Sequence, residues 1–185
     1  FPFSSTLDHV GIFARSTSSL AIAFDTLQGR DVRDPVCTHR LPVMVFETLT
    51  SGVDGLRIAR LGGYFDQISS EVQTELDSLG EILDLTEEVN LDGVEKALAA
   101  SALITYTEAG NLHRENLIRR AQDFDVLVRD RLIAGALLPG NWYLQAQRFR
   151  RTFVDQLDRI FQKYDVLIAP CTPCKAPNIG AESIE

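Results

Sequence analysis

Cysteine is scarce, with three residues in 185, at Cys37, Cys171 and Cys174. So small and odd a number does not build a disulfide scaffold and suits a reducing compartment, so a cytoplasmic location is expected. No run of about 18 apolar residues occurs, which leaves no candidate for a membrane-spanning helix and no membrane role is expected. The first residues lack the basic stretch and apolar core of a secretory leader. Basic side chains are outnumbered, 18 Lys and Arg against 26 Asp and Glu, for a formal net charge of −8. That balance argues against nucleic-acid binding, where affinity comes from Lys and Arg, and mainly favours solubility. Methionine is reduced to Met44 alone, and the chain opens on Phe1. The sequence therefore reads as an internal piece of a longer protein. The rest is ordinary for a globular chain, 45% hydrophobic and 24% charged. Its length suits one domain, or a large part of one, with a real core.

The organisation follows from periodicity. Leu20, Ala21, Ile22, Ala23, Phe24 and Leu27 predict a short buried helix over 17–28, capped by Ser16 or Thr17 and ended by Gly29. Residues 30–55, with Pro35, Pro42, Gly52 and Gly55, read as a long surface connection. Leu56–Leu61 reads as a strand closed by Gly62-Gly63. Val72, Leu76, Leu79 and Leu83 place a helix over 70–83, and a second strand is expected within Leu85–Val89. One long helix is expected over 92–116, with Asp92 as cap and Glu95 as its partner. A further helix covers Asp125–Ala136 and is broken by Pro139 and Gly140. The clearest helix runs over 141–164. Trp142, Ala146, Phe149, Phe153, Leu157, Ile160 and Tyr164 form one buried stripe there, under a solvated surface. Val166–Ala169 is a short strand before Pro170. Helices alternating with two or three strands give an α/β layer and a single domain over 1–185.

No motif read from the residues alone amounts to a catalytic centre. Cys171-Thr-Pro-Cys174 has the spacing of a redox pair, but Pro177 and Gly180 follow where that chemistry needs a helix, so incidental thiols are favoured. Cys37, His39, Cys171 and Cys174 make a weak zinc set, two pairs far apart in the chain, and no metal or other cofactor is expected. His9, His39 and His113 are the only histidines, and no Gly-x-Ser-x-Gly elbow accompanies them. Ser4-Ser5 reads as a turn or cap. Tyr106 and Arg114, eight residues apart and so about 80° around one helix, could jointly grip a carboxylate; a solvated helix face is the commoner explanation.

Several segments, in register, carry a resemblance. They include Thr6-Leu7-Asp8-His9-Val10-Gly11, Ala14-Arg15-Ser16, Gly29-Arg30-Asp31-Val32-Arg33-Asp34-Pro35 and Gly55-Leu56-Arg57-Ile58. Gln145-Ala146-Gln147-Arg148-Phe149 and Asp165-Val166-Leu167-Ile168-Ala169-Pro170 continue the series. Together they resemble the amidase signature family from the segment after its nucleophile region onward. Within the family the chain looks most like the carboxybiuret hydrolase type, and more distantly like the A-type component of glutamyl-tRNA amidotransferase. Ile12 stands where the family has proline, and Thr6 where it has serine.

The resemblance implies a partial amidase fold, with helices on an incomplete mixed sheet. It implies a Ser–cis-Ser–Lys acyl transfer whose three residues lie outside these residues, so no catalytic residue is expected among them and the chain alone should be inactive. It also implies a small amide substrate and a small helical partner subunit. Arg131 falls at the family's carboxylate-gripping arginine; together with Tyr106 and Arg114, read from the residues alone, it makes up the expected substrate contacts. Asp8, Gly11 and Arg15 belong to the signature block as structural residues. A sheet missing its other strands should drive dimerisation or strand exchange. A non-catalytic α/β interaction module, or degenerate paralogue, is the alternative.

Overall fold

The structure is a computed structural model that describes residues 2–34 and 36–178. The chain divides into two compact units, Phe1–Asp54 with Ser101–Gln147, and Gly55–Ala100 with Arg148–Glu185.

The second unit is an α/β layer. Strand β1 (Ile58–Leu61) lies between β2 (Glu88–Val89) and β3 (Val166–Ile168). Both pairings are parallel, with Arg60 opposite Glu88 and Ile58 opposite Val166. The mixed sheet expected from the resemblance is thus parallel throughout its described strands. Helix α3 (Ser70–Ile82) makes the crossover from β1 to β2, which parallel neighbours require. Along β1 the residues alternate as a half-covered strand should, with Ala59 and Leu61 buried and Ile58 and Arg60 partly exposed.

Register on the β3 side is pinned by one ion pair. The Asp165 carboxylate accepts from the Arg57 amide at 2.9 Å and from two guanidinium nitrogens at 3.0 and 2.9 Å. The Asp165 amide donates back to the Arg57 carbonyl at 2.8 Å. The Arg57 side chain, then its amide, hold the Asp165 carboxyl at about 2. A carboxylate whose folded value is depressed stabilises above its unfolded value and loses that contribution as pH falls through the folded one. The β1–β3 junction is therefore expected to loosen as pH drops from about 4 toward 2. Hydrogen exchange of the Asp165 and Val166 amides checks this: protection that stays flat over that range would contradict it, and Asp165→Asn should remove the pH dependence.

In the first unit, α1 (Thr17–Leu27) starts where Ser16 Oγ accepts from the Ser19 amide at 3.1 Å. The expected buried helix is not buried. Only Ala21 is covered, while Ile22 and Leu27 are 52% and 64% exposed. The reason is its small companion: α1 packs on the four-residue α2 (Val45–Thr48), a helix inside the expected 30–55 connection. Asp25 caps α2 by accepting from the Val45 and Phe46 amides at 2.9 and 3.0 Å. Gln28 holds the approach by bonding both the amide and the carbonyl of Val43.

The expected 92–116 helix is two helices, α4 (Val94–Leu112) and α5 (Arg114–Arg120). Gly93, at φ +80, accepts the first helical bond from Ala97, so it takes the capping place expected for Asp92. The break falls at His113, which is 5% exposed. Its Nε2–H donates to the Pro2 carbonyl at 2.9 Å, and its ring sits edge-on to Phe124. These tertiary bonds hold His113 out of helical geometry and override the helical pattern of the sequence. Helix α6 (Val126–Ala136) begins, as expected, at Asp125, whose carboxylate accepts from the Leu127 amide at 2.9 Å. Ala109, Leu117 and Leu132 form the core here, with Phe3 and Phe124 against them.

Helix α7 (Gly140–Phe161) passes from one unit to the other. Its expected stripe is only partly covered. Ala146 is buried, Phe149, Phe153, Leu157 and Ile160 are half-buried, and Trp142 is 50% exposed. Tyr164 lies past the helix end, with its hydroxyl 3.2 Å from the Glu87 carboxylate.

Candidate active-site wall

Residues 3–8 fold into a tight polar turn. The Ser4 carbonyl accepts from the Leu7 and Asp8 amides at 3.1 and 2.8 Å. The Asp8 carboxylate closes the turn from the other side, accepting from the Phe3 and Ser4 amides at 2.7 and 2.9 Å. Those two amides hold its carboxyl below the ordinary range. Asp8 therefore ties this turn to itself, and Gly11 and Arg15 are exposed.

The turn docks on one carboxylate that the sequence pattern does not single out. Glu108, on α4, is 9% exposed. Its Oε2 accepts from Ser4 Oγ at 2.8 Å, the Thr6 amide at 3.0 Å and Ser5 Oγ at 3.5 Å. Its Oε1 accepts from Thr6 Oγ1 at 2.7 Å and the Tyr143 hydroxyl at 2.9 Å. Gln147 in turn donates to that hydroxyl at 2.9 Å. Burial pushes the Glu108 carboxyl up, but the hydrogen bonds from Thr6, Ser4 and Tyr143 outweigh it and leave the group below its usual value. The ionised form is the one these donors fit. One signal in the sequence points here: Ala100, Ile104 and Glu108 recur at steps of four on the covered face of α4, and a carboxylate in that row must collect donors.

Beside this knot lies a cleft of about 500 Å³. One wall is the Ser5–Thr6 turn, a second is the α4 row Thr107, Glu108 and Asn111, and Gly135, Ala136 and Leu138 close the far side. Arg114 and Tyr143 also border it. Of the three expected substrate contacts, Arg114 alone lines this cleft. Tyr106 is half-buried on α4, and its main chain packs on Gly135. The break at His113 also removes the single-helix geometry that was expected to join Tyr106 to Arg114. Arg131 is exposed on α6, where Arg129 pairs with Asp130 instead. A separate cavity of about 820 Å³ in the second unit is almost wholly apolar, lined by side chains such as Tyr64, Phe65, Leu98, Phe153 and Phe161.

All three cysteines are free thiols. Cys171 and Cys174 sit in an irregular segment after β3. Among the described residues, no three His, Cys, Asp or Glu side chains gather as a metal site, and no helix is long and apolar enough to cross a membrane.

Parallel strands joined through helices, and a signature turn held beside a polar cleft, point to an amidase. The Amidase family model matches residues 1–185, and the chain belongs to that family. It is similar to AtzE, the 1-carboxybiuret hydrolase component of Pseudomonas sp. (strain ADP), at 42% identity over 186 residues, covering 100% of this chain and 41% of that protein. The A-type component of glutamyl-tRNA(Gln) amidotransferase from Lachnoclostridium phytofermentans is 28% identical over 207 residues, covering 96% of this chain and 42% of that protein. The chain thus spans about two-fifths of the length of the curated relatives it matches. Among solved structures it superposes on an inhibitor-bound complex, described as a vestigial protein complex revealing the evolutionary origins of an s-triazine catabolic enzyme. The TM-score is 0.94 at 42% identity, covering 100% of this chain and 40% of that one. The corresponding amidotransferase component of Thermotoga maritima shares the fold at TM-score 0.78 and 23% identity, covering 96% of this chain and 40% of that one. The family and the branch expected from the sequence are both borne out.

Proposed function

We propose that the protein carrying this chain is an amide hydrolase that cleaves a linear C–N bond in a small carboxylated or urea-like substrate of the carboxybiuret kind. The observation that carries this is the 42% identity with a 1-carboxybiuret hydrolase component across the whole chain, against 28% for the amidotransferase component. The reaction implied is acyl transfer. A serine attacks the amide carbonyl, a bridging serine takes its proton with a lysine behind it, and backbone N–H groups hold the oxyanion. These 185 residues contribute the wall of the substrate pocket to one amidase domain, with Arg131 as the contact that the family likeness nominates.

The test is release of ammonia or amine from 1-carboxybiuret. The complete protein is expected to turn it over, and the 185-residue chain alone is not. Turnover by the isolated chain, free of contaminating amidase, would refute its assigned role as a wall. A complete protein inert toward 1-carboxybiuret and other small amides would favour the non-catalytic module, and ammonia released from glutamine would favour the amidotransferase reading. A small helical partner subunit is part of the proposal, supported by the similar structure being a protein complex. Strands β2 and β3 each have one unpaired edge in the described sheet. The isolated chain is therefore expected to dimerise or exchange strands, which light scattering would detect. A monodisperse monomer that unfolds cooperatively would contradict it.

A further inference from the structure

We propose that the cleft beside Glu108 is a binding subsite for the anionic end of a short carboxylated amide, with Arg114 as its guanidinium anchor and Thr107 and Asn111 beside it. The proposal rests on the amide-hydrolase reading and names the grip that reading requires.

Arg114 is the cation bordering the cleft. Its neighbours Arg119 and Arg120 are paired with Glu115 and Asp123. Arg114 makes no ion pair among the described residues and is exposed. An unpaired guanidinium offers a planar fork that matches a carboxylate in two parallel hydrogen bonds. Thr107 adds a second observation: its hydroxyl oxygen is buried and has no hydrogen-bond partner among the described residues. An orphaned buried hydroxyl is costly unless something in the cleft satisfies it. Thr107 and Asn111 are four residues apart, so they share one face of α4 about 6 Å apart along the axis. Between them they supply a hydroxyl and a carboxamide, which can both donate to and accept from an amide.

Glu108 sets the direction of the ligand. Its two oxygens already accept five hydrogen bonds, so no lone pair is left for a guest. Its negative charge still repels a second carboxylate. The guest's anionic end is therefore turned toward Arg114, and its neutral amide lies toward Thr107 and the Glu108 end. Leu112, Ala136 and Leu138 give the apolar flank that a flat amido group needs.

The test uses the complete protein and two amides of equal length, succinamate with a carboxylate and butyramide without. Arg114→Ala is expected to raise the ratio of their KM values, carboxylated over uncharged, by about 10- to 100-fold, and Arg114→Lys by less. Thr107→Val is expected to weaken both substrates together. An unchanged ratio in Arg114→Ala would overturn the proposal, as would a carboxylate-selective loss confined to Arg131→Ala. If the unaltered protein hydrolyses neither amide, the enzymatic reading is decided by 1-carboxybiuret turnover and the subsite by binding. Calorimetric binding of succinamate, lost in Arg114→Ala, would still support the subsite, and binding unaffected by that change would sink it.

Discussion

Gly135→Ala is expected to destabilise the protein by about 3 kcal/mol, with Gly110→Ala close behind. Both glycines mark the place where α4 and α6 touch main chain to main chain. A Cβ built on Gly135 falls on the carbonyl group of Tyr106. One built on Gly110 lies 2.5 Å from both the Ala136 amide nitrogen and the Leu132 carbonyl oxygen. A clash with a flexible side-chain tip relaxes cheaply, but a clash with helical backbone moves a whole helix. Ala109 and Leu132 sit in the core beside this crossing, so the shift would reach residues that are 0% and 1% exposed. Gly80 is the control. It lies within α3, nothing comes within 4 Å of a Cβ placed there, and Gly80→Ala should stabilise by roughly 0.5–1 kcal/mol through helix propensity. Urea unfolding of the complete protein separates the two cases. A Gly135→Ala variant as stable as the Gly80→Ala variant would show that the helices do not meet as described. Since Gly135 also lines the cleft, the same substitution should weaken substrate binding.

Local signals in the sequence sufficed where the element was decided locally. Ser16 caps the helix it was expected to cap, the helix expected from Asp125 starts there, and Leu76 is the buried residue of α3. Strand β1 sits within the predicted segment and is closed by Gly62. Long-range partners decided the rest. The stretch around His113 is helical by pattern, and distant partners, the Pro2 carbonyl 111 residues away and the Phe124 ring among them, break it. The apolar residues of α1 predict burial, but burial depends on what packs against the helix, and α2 is too short to cover it. For the candidate site, the signature turn was legible as a block of residues, while its anchor was not. Glu108 is 104 residues from Ser4, and nothing in the spacing of either segment announces the other. Arg114 was legible as a cation at helical spacing. Its companions were not, because Tyr106 gives way to Thr107 and Asn111 only once the helix break and the cleft are known.

Glu108→Ala is expected to cost about 4 kcal/mol, because hydrogen bonds to a charged group are worth more than neutral ones and their donors would stay buried. Ser4 Oγ, Thr6 Oγ1, the Thr6 amide and the Tyr143 hydroxyl would all lose their acceptor at once. Ser4 is 2% exposed, so water cannot replace what it loses. Glu108→Gln separates charge from shape. It keeps the size of the side chain but replaces one acceptor oxygen by an NH2 group, which then faces donors on either side. A loss of about 2 kcal/mol is expected from that mismatch alone. Tyr143→Phe removes one donor to Glu108 and the acceptor of the Gln147 amide, and should cost about 1–2 kcal/mol. The pH dependence gives a readout that simple loss of packing would not move. Glu108 has a folded pKa below its ordinary 4.5, so its stabilisation is complete above that value and fades as pH falls through the folded one. Stability of the unaltered protein should therefore decline more steeply below about pH 4.5 than that of Glu108→Gln. Parallel acid profiles would show that the carboxylate is not the form the turn requires. A shallower profile in Glu108→Gln, with KM for a carboxylated amide raised in the same variant, would tie the turn's anchor to the wall it holds in place.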